Sequence, residues 1–120
     1  MGRVLIVDDS TMVREMVSNQ LTEAGIEVVE AQDGAEGVEV MKSQSFDLVV
    51  TDVVMPRMNG YEFCRWVKNN TKNVPVIMCT TKGEEFDKYW GMKQGADAYI
   101  VKPYHPSELL KIVKELLAAV

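Results

Sequence analysis

The sequence predicts one doubly wound α/β domain. Short apolar runs alternate with longer amphipathic segments along the whole 120-residue chain, and the connections between the apolar runs are too long for hairpins. Strands that are joined by helical crossovers lie parallel, and their helices cover both faces of the sheet. We therefore expect a single domain over residues 1–120, with five parallel strands and five helices.

The strands are predicted from short runs rich in valine and other aliphatic residues. A strand in a parallel sheet is buried on both faces, so its sequence is nearly continuously apolar. Runs of this kind predict strands over residues 4–7, 28–31, 48–50, 76–79 and 99–101.

The helices are predicted between and after these strands. Ser10 is a candidate N-cap of the first helix, Gly25 and Gly95 are suited to end the first and fourth helices, and Pro106 fits the first turn of the last. The spacing of apolar residues predicts helices over residues 10–24, 34–44, 60–70, 84–94 and 106–118.

The composition excludes several classes of partner. The formal net charge of -5 argues against nucleic-acid binding, which needs Lys and Arg to neutralise phosphates. The chain has no apolar run of the length that a membrane helix requires, so we expect a cytoplasmic protein, and we expect it to be monomeric. Cys64 and Cys79 have no His partner at metal-site spacing and are predicted to be core thiols.

Polar residues follow the predicted strands. Ligands of such sheets bind outside the carboxyl ends of the strands, so these residues should converge. Three carboxylates with no cation among them would repel one another, and Mg²⁺ prefers carboxylate oxygens. The sequence therefore predicts a Mg²⁺ site formed by Asp8, Asp9 and Asp52.

Two further residues in the same crevice are suited to bind phosphate. Thr80 follows the fourth strand with a hydroxyl, and Lys102 follows the fifth with an ammonium. With Mg²⁺ they would orient and neutralise a phosphoryl group in transfer. Asp52 lies at the end of the central strand and is the candidate nucleophile, which would form an aspartyl-phosphate.

The motifs that contain these residues resemble those of two-component receiver domains, such as the chemotaxis regulator. The resemblance covers nearly the whole chain and implies a flavodoxin-like sheet of order 2-1-3-4-5. The motifs are VLIVDDS at 4–10, DVVMPRMNG at 52–60, TT at 80–81 and VKP at 101–103.

The resemblance also implies roles for individual residues. Asp52 would accept a phosphoryl group from a phosphohistidine on a histidine kinase or phosphotransfer protein. Asp9 would bind Mg²⁺ directly and Asp8 through water, with the Val54 carbonyl as a further ligand. Lys102 would contact the phosphoryl group, and its bond to Pro103 is expected to be cis. Such a protein is a phosphoacceptor with slow self-dephosphorylation, not an enzyme.

Signalling in this family implies a switch and a surface for a downstream protein. Thr80 would move toward the phosphoryl group and Tyr99 inward behind it, although simple packing remains the alternative for Tyr99. Phe86, Tyr89 and Trp90 on the fourth helix, together with Tyr99, are the predicted partner surface. The segment TTKGEEFDKYWG at 80–91 also resembles single-domain regulators of type IV pilus motility, which implies a stand-alone regulator of motility or chemotaxis.

Three other functions stay open from the sequence. A phosphohydrolase of the haloacid dehalogenase class also forms an aspartyl-phosphate, but it needs an Asp where this chain has Val54. A flavodoxin-like nucleotide binder would need a phosphate loop without the repulsion of Asp8 and Asp9. A degenerate receiver would keep the fold and bind a partner without phosphate.

Overall fold

The computed structural model describes residues 2–119, and these form the five strands and five helices that the sequence predicts. Each boundary lies within one residue of its predicted position. In chain order the elements are β1 (Arg3–Val7), α1 (Thr11–Glu23), β2 (Glu27–Ala31), α2 (Gly34–Ser43), β3 (Leu48–Thr51), α3 (Gly60–Asn70), β4 (Val76–Thr80), α4 (Glu85–Lys93), β5 (Ala98–Val101) and α5 (Pro106–Ala118).

The strands form one parallel sheet of order β2-β1-β3-β4-β5, which confirms the predicted doubly wound topology. Val7 pairs with Thr51 across β1 and β3, and Thr80 pairs with Val101 across β4 and β5. Because the strands are parallel and end together, the residues that follow β1, β3, β4 and β5 lie along one edge of the sheet.

The predicted helix ends are confirmed. Ser10 caps α1, and its hydroxyl accepts a hydrogen bond from the Val13 backbone N–H. Gly25 and Gly95 follow α1 and α4 with φ of 83° and 111°, a left-handed conformation that glycine adopts without strain. Pro106 is the first residue of α5.

Alternate strand residues enter two hydrophobic clusters, one on each face of the sheet. Leu5 belongs to the cluster covered by α2 and α3, whereas Ile6 belongs to the cluster covered by α1 and α5. Cys64 and Cys79 are buried free thiols in opposite clusters, as predicted. Burial raises the pKa of Cys64 to about 11 and that of Cys79 to about 12, so both thiols are protonated at neutral pH. None of the helices in residues 2–119 is long and apolar enough to cross a membrane.

Candidate functional site

Three carboxylates converge where β1 and β3 end. The Asp52 backbone N–H donates to the Val7 carbonyl over 2.9 Å, which holds the start of the β3–α3 loop against the end of β1. One oxygen each from Asp8, Asp9 and Asp52 lie within 4.8 Å of one another. Asp8 is buried, Asp9 is exposed and Asp52 is intermediate. The structure therefore brings together the three predicted metal ligands.

The ammonium of Lys102 lies in the same cluster. Its Nζ is 3.0 Å from Asp8 Oδ2 and 3.6 Å from Asp52 Oδ2. The sequence placed Lys102 in this crevice but did not predict its contact with Asp8, which arises because the long lysine stem reaches from the end of β5 to the residues that follow β1 and β3. The backbone supports this placement, since the Lys102 N–H donates to the Thr80 carbonyl over 2.8 Å.

Opposing effects set the charge state of Lys102. Burial of the ammonium lowers its pKa. The hydrogen bond to Asp8 and the negative charge of Asp52 together raise the pKa by more than burial lowers it. The net pKa lies above the ordinary lysine value, so the side chain is cationic at neutral pH.

The loop after β1 is fixed by contacts that the sequence did not reveal. Asp8 Oδ1 accepts a hydrogen bond from the Ser10 N–H over 2.9 Å, and the Asp8 carbonyl accepts one from Arg14 Nη1 over 2.6 Å. Arg14 was not among the predicted site residues. Its place in the first turn of α1 after two aspartates was the available signal, but only the fold shows that it binds the Asp8 backbone carbonyl and the carboxylate of Glu30, and neither aspartate side chain.

Thr80 and Tyr99 both contact the backbone of Lys82. The fully buried Thr80 hydroxyl accepts a hydrogen bond from the Lys82 N–H over 3.3 Å. The Tyr99 phenol is half-buried and donates to the Lys82 carbonyl over 2.7 Å. The Lys82 backbone thus links the side chains of the two predicted switch residues. The sequence had identified each side chain but not the link between them.

Val54 lies in the loop after Asp52 with its side chain 58% exposed. No group within residues 2–119 donates a hydrogen bond to the Val54 backbone carbonyl. The Lys102–Pro103 bond at the other side of the site is cis, as expected.

The donor set fits a hard divalent cation. Three carboxylates whose oxygens lie within 4.8 Å offer the oxygen ligands that Mg²⁺ prefers. The exposure of Asp9 also leaves room for the waters that Mg²⁺ retains. The acidic group is therefore able to hold a metal ion.

The aromatic residues of α4 are exposed, as their predicted role in a partner surface requires. Phe86 is 72% exposed and Tyr89 is 62% exposed, while Trp90 is less so. Met92 is also exposed, although a methionine is most often expected to fill a gap in a core or loop. Its helix position faces away from the sheet, because α4 packs through Gly91.

This fold and site are those of a response regulator receiver domain, a component of two-component signalling. The chain matches that family over residues 4–114 and belongs to it.

Individual relatives are consistent with this assignment. The chain is 39% identical to Protein PilH of Pseudomonas aeruginosa, over 98% of this chain and 99% of PilH. It is 36% identical to the alkaline phosphatase synthesis transcriptional regulatory protein PhoP of Bacillus subtilis, but it spans only 48% of that regulator's length.

Solved structures have the same fold. The Francisella response regulator 1452 receiver domain matches with a TM-score of 0.94 and 28% identity, over 99% of this chain and 98% of that one. The chemotaxis protein CheY4 of Vibrio cholerae matches with a TM-score of 0.89 and 39% identity, over 97% of this chain and 98% of that one.

Proposed function

We propose that this protein is a stand-alone response regulator that accepts a phosphoryl group on Asp52 from a phosphohistidine of a histidine kinase or phosphotransfer protein. The observation that carries the proposal is the convergence of Asp52 with Asp8, Asp9 and Lys102 at one edge of the sheet. The similarity to PilH over nearly the full length of both chains supports stand-alone action.

Each residue has a distinct part in the proposed transfer. An Asp52 carboxylate oxygen attacks the phosphorus, and an O–P bond forms as the P–N bond breaks with its electron pair passing to the imidazole. Asp8, Asp9, Asp52 and the Val54 carbonyl would hold Mg²⁺, which would supply positive charge to the phosphoryl oxygens. Lys102 contributes a second positive charge 3.6 Å from Asp52. Catalysis of this kind is largely positioning and electrostatic stabilisation.

The signal then passes to a downstream protein through a change of conformation. Thr80 and Tyr99 are the proposed switch residues, because both hydrogen-bond to the Lys82 backbone beside the site. The exposed Phe86 and Tyr89 of α4 form the proposed contact surface. Large apolar side chains on a protein surface are typical of interaction sites.

The phosphohydrolase alternative is disfavoured by Val54. An enzyme of the haloacid dehalogenase class needs a carboxylic acid two residues after the nucleophile, and the isopropyl group of Val54 exchanges no proton. The degenerate receiver is disfavoured by the complete set of Asp8, Asp9, Asp52, Thr80 and Lys102.

Intact-mass spectrometry after incubation with acetyl phosphate tests the proposal. The wild type should gain about 80 Da in the presence of Mg²⁺ and much less with EDTA. Asp52→Asn should gain no such mass, whereas Glu115→Gln, an exposed carboxylate on α5, should behave as the wild type. An undiminished rate of mass gain in Asp52→Asn would refute the assignment, and a wild type that never gains mass would favour the phosphate-independent binding module.

A further inference from the structure

The loop of residues 53–59 between β3 and α3 contains a strained turn. Arg57 has a φ of 67°, and the Met58 N–H donates to the Pro56 carbonyl over 2.8 Å. This hydrogen bond spans two residues and defines a γ-turn centred on Arg57, and the positive-φ form of that turn is rare and strained. A side chain other than glycine keeps such a conformation only where its surroundings enforce it.

The side chain of Arg57 is held by a buried carboxylate. Arg57 Nε donates to Asp33 Oδ2 over 2.8 Å, and Asp33 is only 4% exposed. Asp33 is also the N-cap of α2, and its Oδ1 accepts a hydrogen bond from the Glu36 N–H over 2.9 Å. Burial raises the pKa of Asp33, but the hydrogen bonds from Arg57 and Glu36 outweigh it, so the net pKa lies below the ordinary value.

The backbone joins the same two segments. The Gly34 N–H donates to the Met58 carbonyl over 3.2 Å, and a Cβ at Gly34 would lie 2.7 Å from that oxygen. At the other end of the loop, the Gly60 N–H donates to the Val53 carbonyl over 2.8 Å. The loop is therefore fastened on both sides of Val54.

We propose that Asp33 and Arg57 are positioning residues whose ion pair holds the β3–α3 loop so that the Val54 carbonyl is available to a metal ion at the carboxylate cluster. This inference rests on the proposed function, because it presupposes that Mg²⁺ binds Asp8, Asp9 and Asp52. The pair would act on metal binding through the loop, and neither side chain belongs to the carboxylate cluster itself.

Long-range electrostatics makes the opposite prediction for Arg57. Removal of a positive charge near an acidic site strengthens the binding of a cation, whereas removal of a negative charge weakens it. If the pair positions the loop, loss of either partner weakens binding, and loss of both is no worse than loss of one. The sign of the Arg57 effect therefore separates the two explanations.

Isothermal titration calorimetry with MgCl₂ on the purified full chain tests the inference. Asp33→Asn removes the charge and keeps an N-cap side chain for α2. We expect this variant, Arg57→Gln and the double variant each to raise the Kd for Mg²⁺ by about tenfold, as is common for residues that support metal ligands. Arg57→Lys, which keeps the positive charge, should recover part of the loss.

The matched controls are Glu39→Gln and Lys42→Gln, which break an exposed ion pair of 3.5 Å on α2 without touching the loop. Both should leave the Kd unchanged. If Arg57→Gln does not fold, Arg57→Gly replaces it, since glycine adopts a φ of 67° without strain.

The outcomes distinguish this inference from the proposed function. If the wild type binds Mg²⁺ and the Asp33 and Arg57 variants bind it with the same Kd, the positioning role is overturned and the proposed function is not. Tighter binding by the Arg57 variant would overturn it in favour of electrostatics. A wild type that binds no Mg²⁺ at millimolar concentration would overturn the metal site itself, and the positioning role with it.

Discussion

The ammonium of Lys102 donates a hydrogen bond to the carboxylate of Asp8 over 3.0 Å, at the place where a divalent cation would also bind. The lysine neutralises part of the acidic cluster when no metal is bound, and it repels a metal ion that approaches. Lys102 therefore has two opposing effects: it stabilises the fold when no metal is bound, and it weakens metal binding.

Lys102→Met should separate these effects. The variant keeps an unbranched apolar stem but leaves the buried Asp8 without its partner, so the free energy of unfolding without Mg²⁺ should fall by about 1–3 kcal/mol. Mg²⁺ should bind about tenfold more tightly, because the competing charge is gone. Urea unfolding with and without Mg²⁺ measures both quantities. Weaker Mg²⁺ binding in Lys102→Met would contradict this prediction.

Mg²⁺ should stabilise the folded protein. A ligand that binds only the folded state at 100 times its Kd adds about 2.7 kcal/mol to the free energy of unfolding. Asp9→Asn should remove most of the resulting rise in Tm, whereas Glu115→Gln should keep it. Thermal melts over a range of MgCl₂ concentrations provide the measurement, and a wild-type Tm that ignores millimolar Mg²⁺ would count against the site.

The hydrogen bonds of Thr80 and Tyr99 to the Lys82 backbone should change when the protein is activated. Beryllofluoride, a phosphoryl mimic, should change amide hydrogen exchange from Thr80 to Tyr99, with a coupling free energy of about 1–3 kcal/mol. Tyr99→Phe removes the 2.7 Å hydrogen bond to the Lys82 carbonyl and should reduce the change. Tyr89→Phe is the matched control, because its ring is exposed on α4. Unaltered exchange in the wild type would exclude this switch.

The lifetime of the phosphorylated protein should depend on Val54 and Lys82. The side chain of Val54 has no polar group to orient water, and Lys82 Nζ lies 3.7 Å from Asp87 Oδ1. Val54→Asn with Lys82→Glu supplies an amide two residues after Asp52 and an acid two residues after Thr80, so phosphate loss at saturating Mg²⁺ should accelerate by about tenfold if these groups orient the attacking water. Lys88→Glu, an exposed change on α4, is the control. An unchanged or slower rate in the double variant would refute the prediction.

Gly60 should tolerate no side chain. A Cβ at this position would lie 2.0 Å from the Asp52 carbonyl oxygen, so Gly60→Ala must displace the backbone of the proposed phosphoacceptor. We expect a loss of about 3 kcal/mol in the free energy of unfolding and slower phosphorylation. Gly83→Ala should cost less, because its Cβ would meet a methyl group of Val101 at 2.9 Å and not a backbone oxygen at 2.0 Å. Chemical denaturation compares the two, and equal losses would contradict the argument.

The sequence was sufficient for the elements and for the residues at the sheet edge. Aliphatic runs, helix caps and the parallel-sheet rule depend on local spacing, so they located Asp8, Asp52 and Lys102 at strand ends. Which groups a long side chain reaches depends on the tertiary structure, so the ion pair of Lys102 with Asp8 was not predicted.

The same limit applies to contacts between distant segments. Asp33 and Arg57 are 24 residues apart, and no local pattern relates an N-cap of α2 to a turn in the β3–α3 loop. The exposure of Met92 was also unpredictable from the sequence, because it depends on which face of α4 meets the sheet.

Helix α4, whose nine residues all lie in the described part of the chain, has Gly91 as its one buried residue. A Cβ there would lie 2.8 Å from the Tyr99 ring and 2.9 Å from the Met78 sulfur, so this position is constrained. The exposed α4 residues Phe86, Tyr89 and Met92 carry little of the core, so substitutions there should leave the carboxylate cluster unaltered. Substitutions on the outer surface of α4 are therefore expected to change what this face contacts and to leave the carboxylates of Asp8, Asp9 and Asp52 in place.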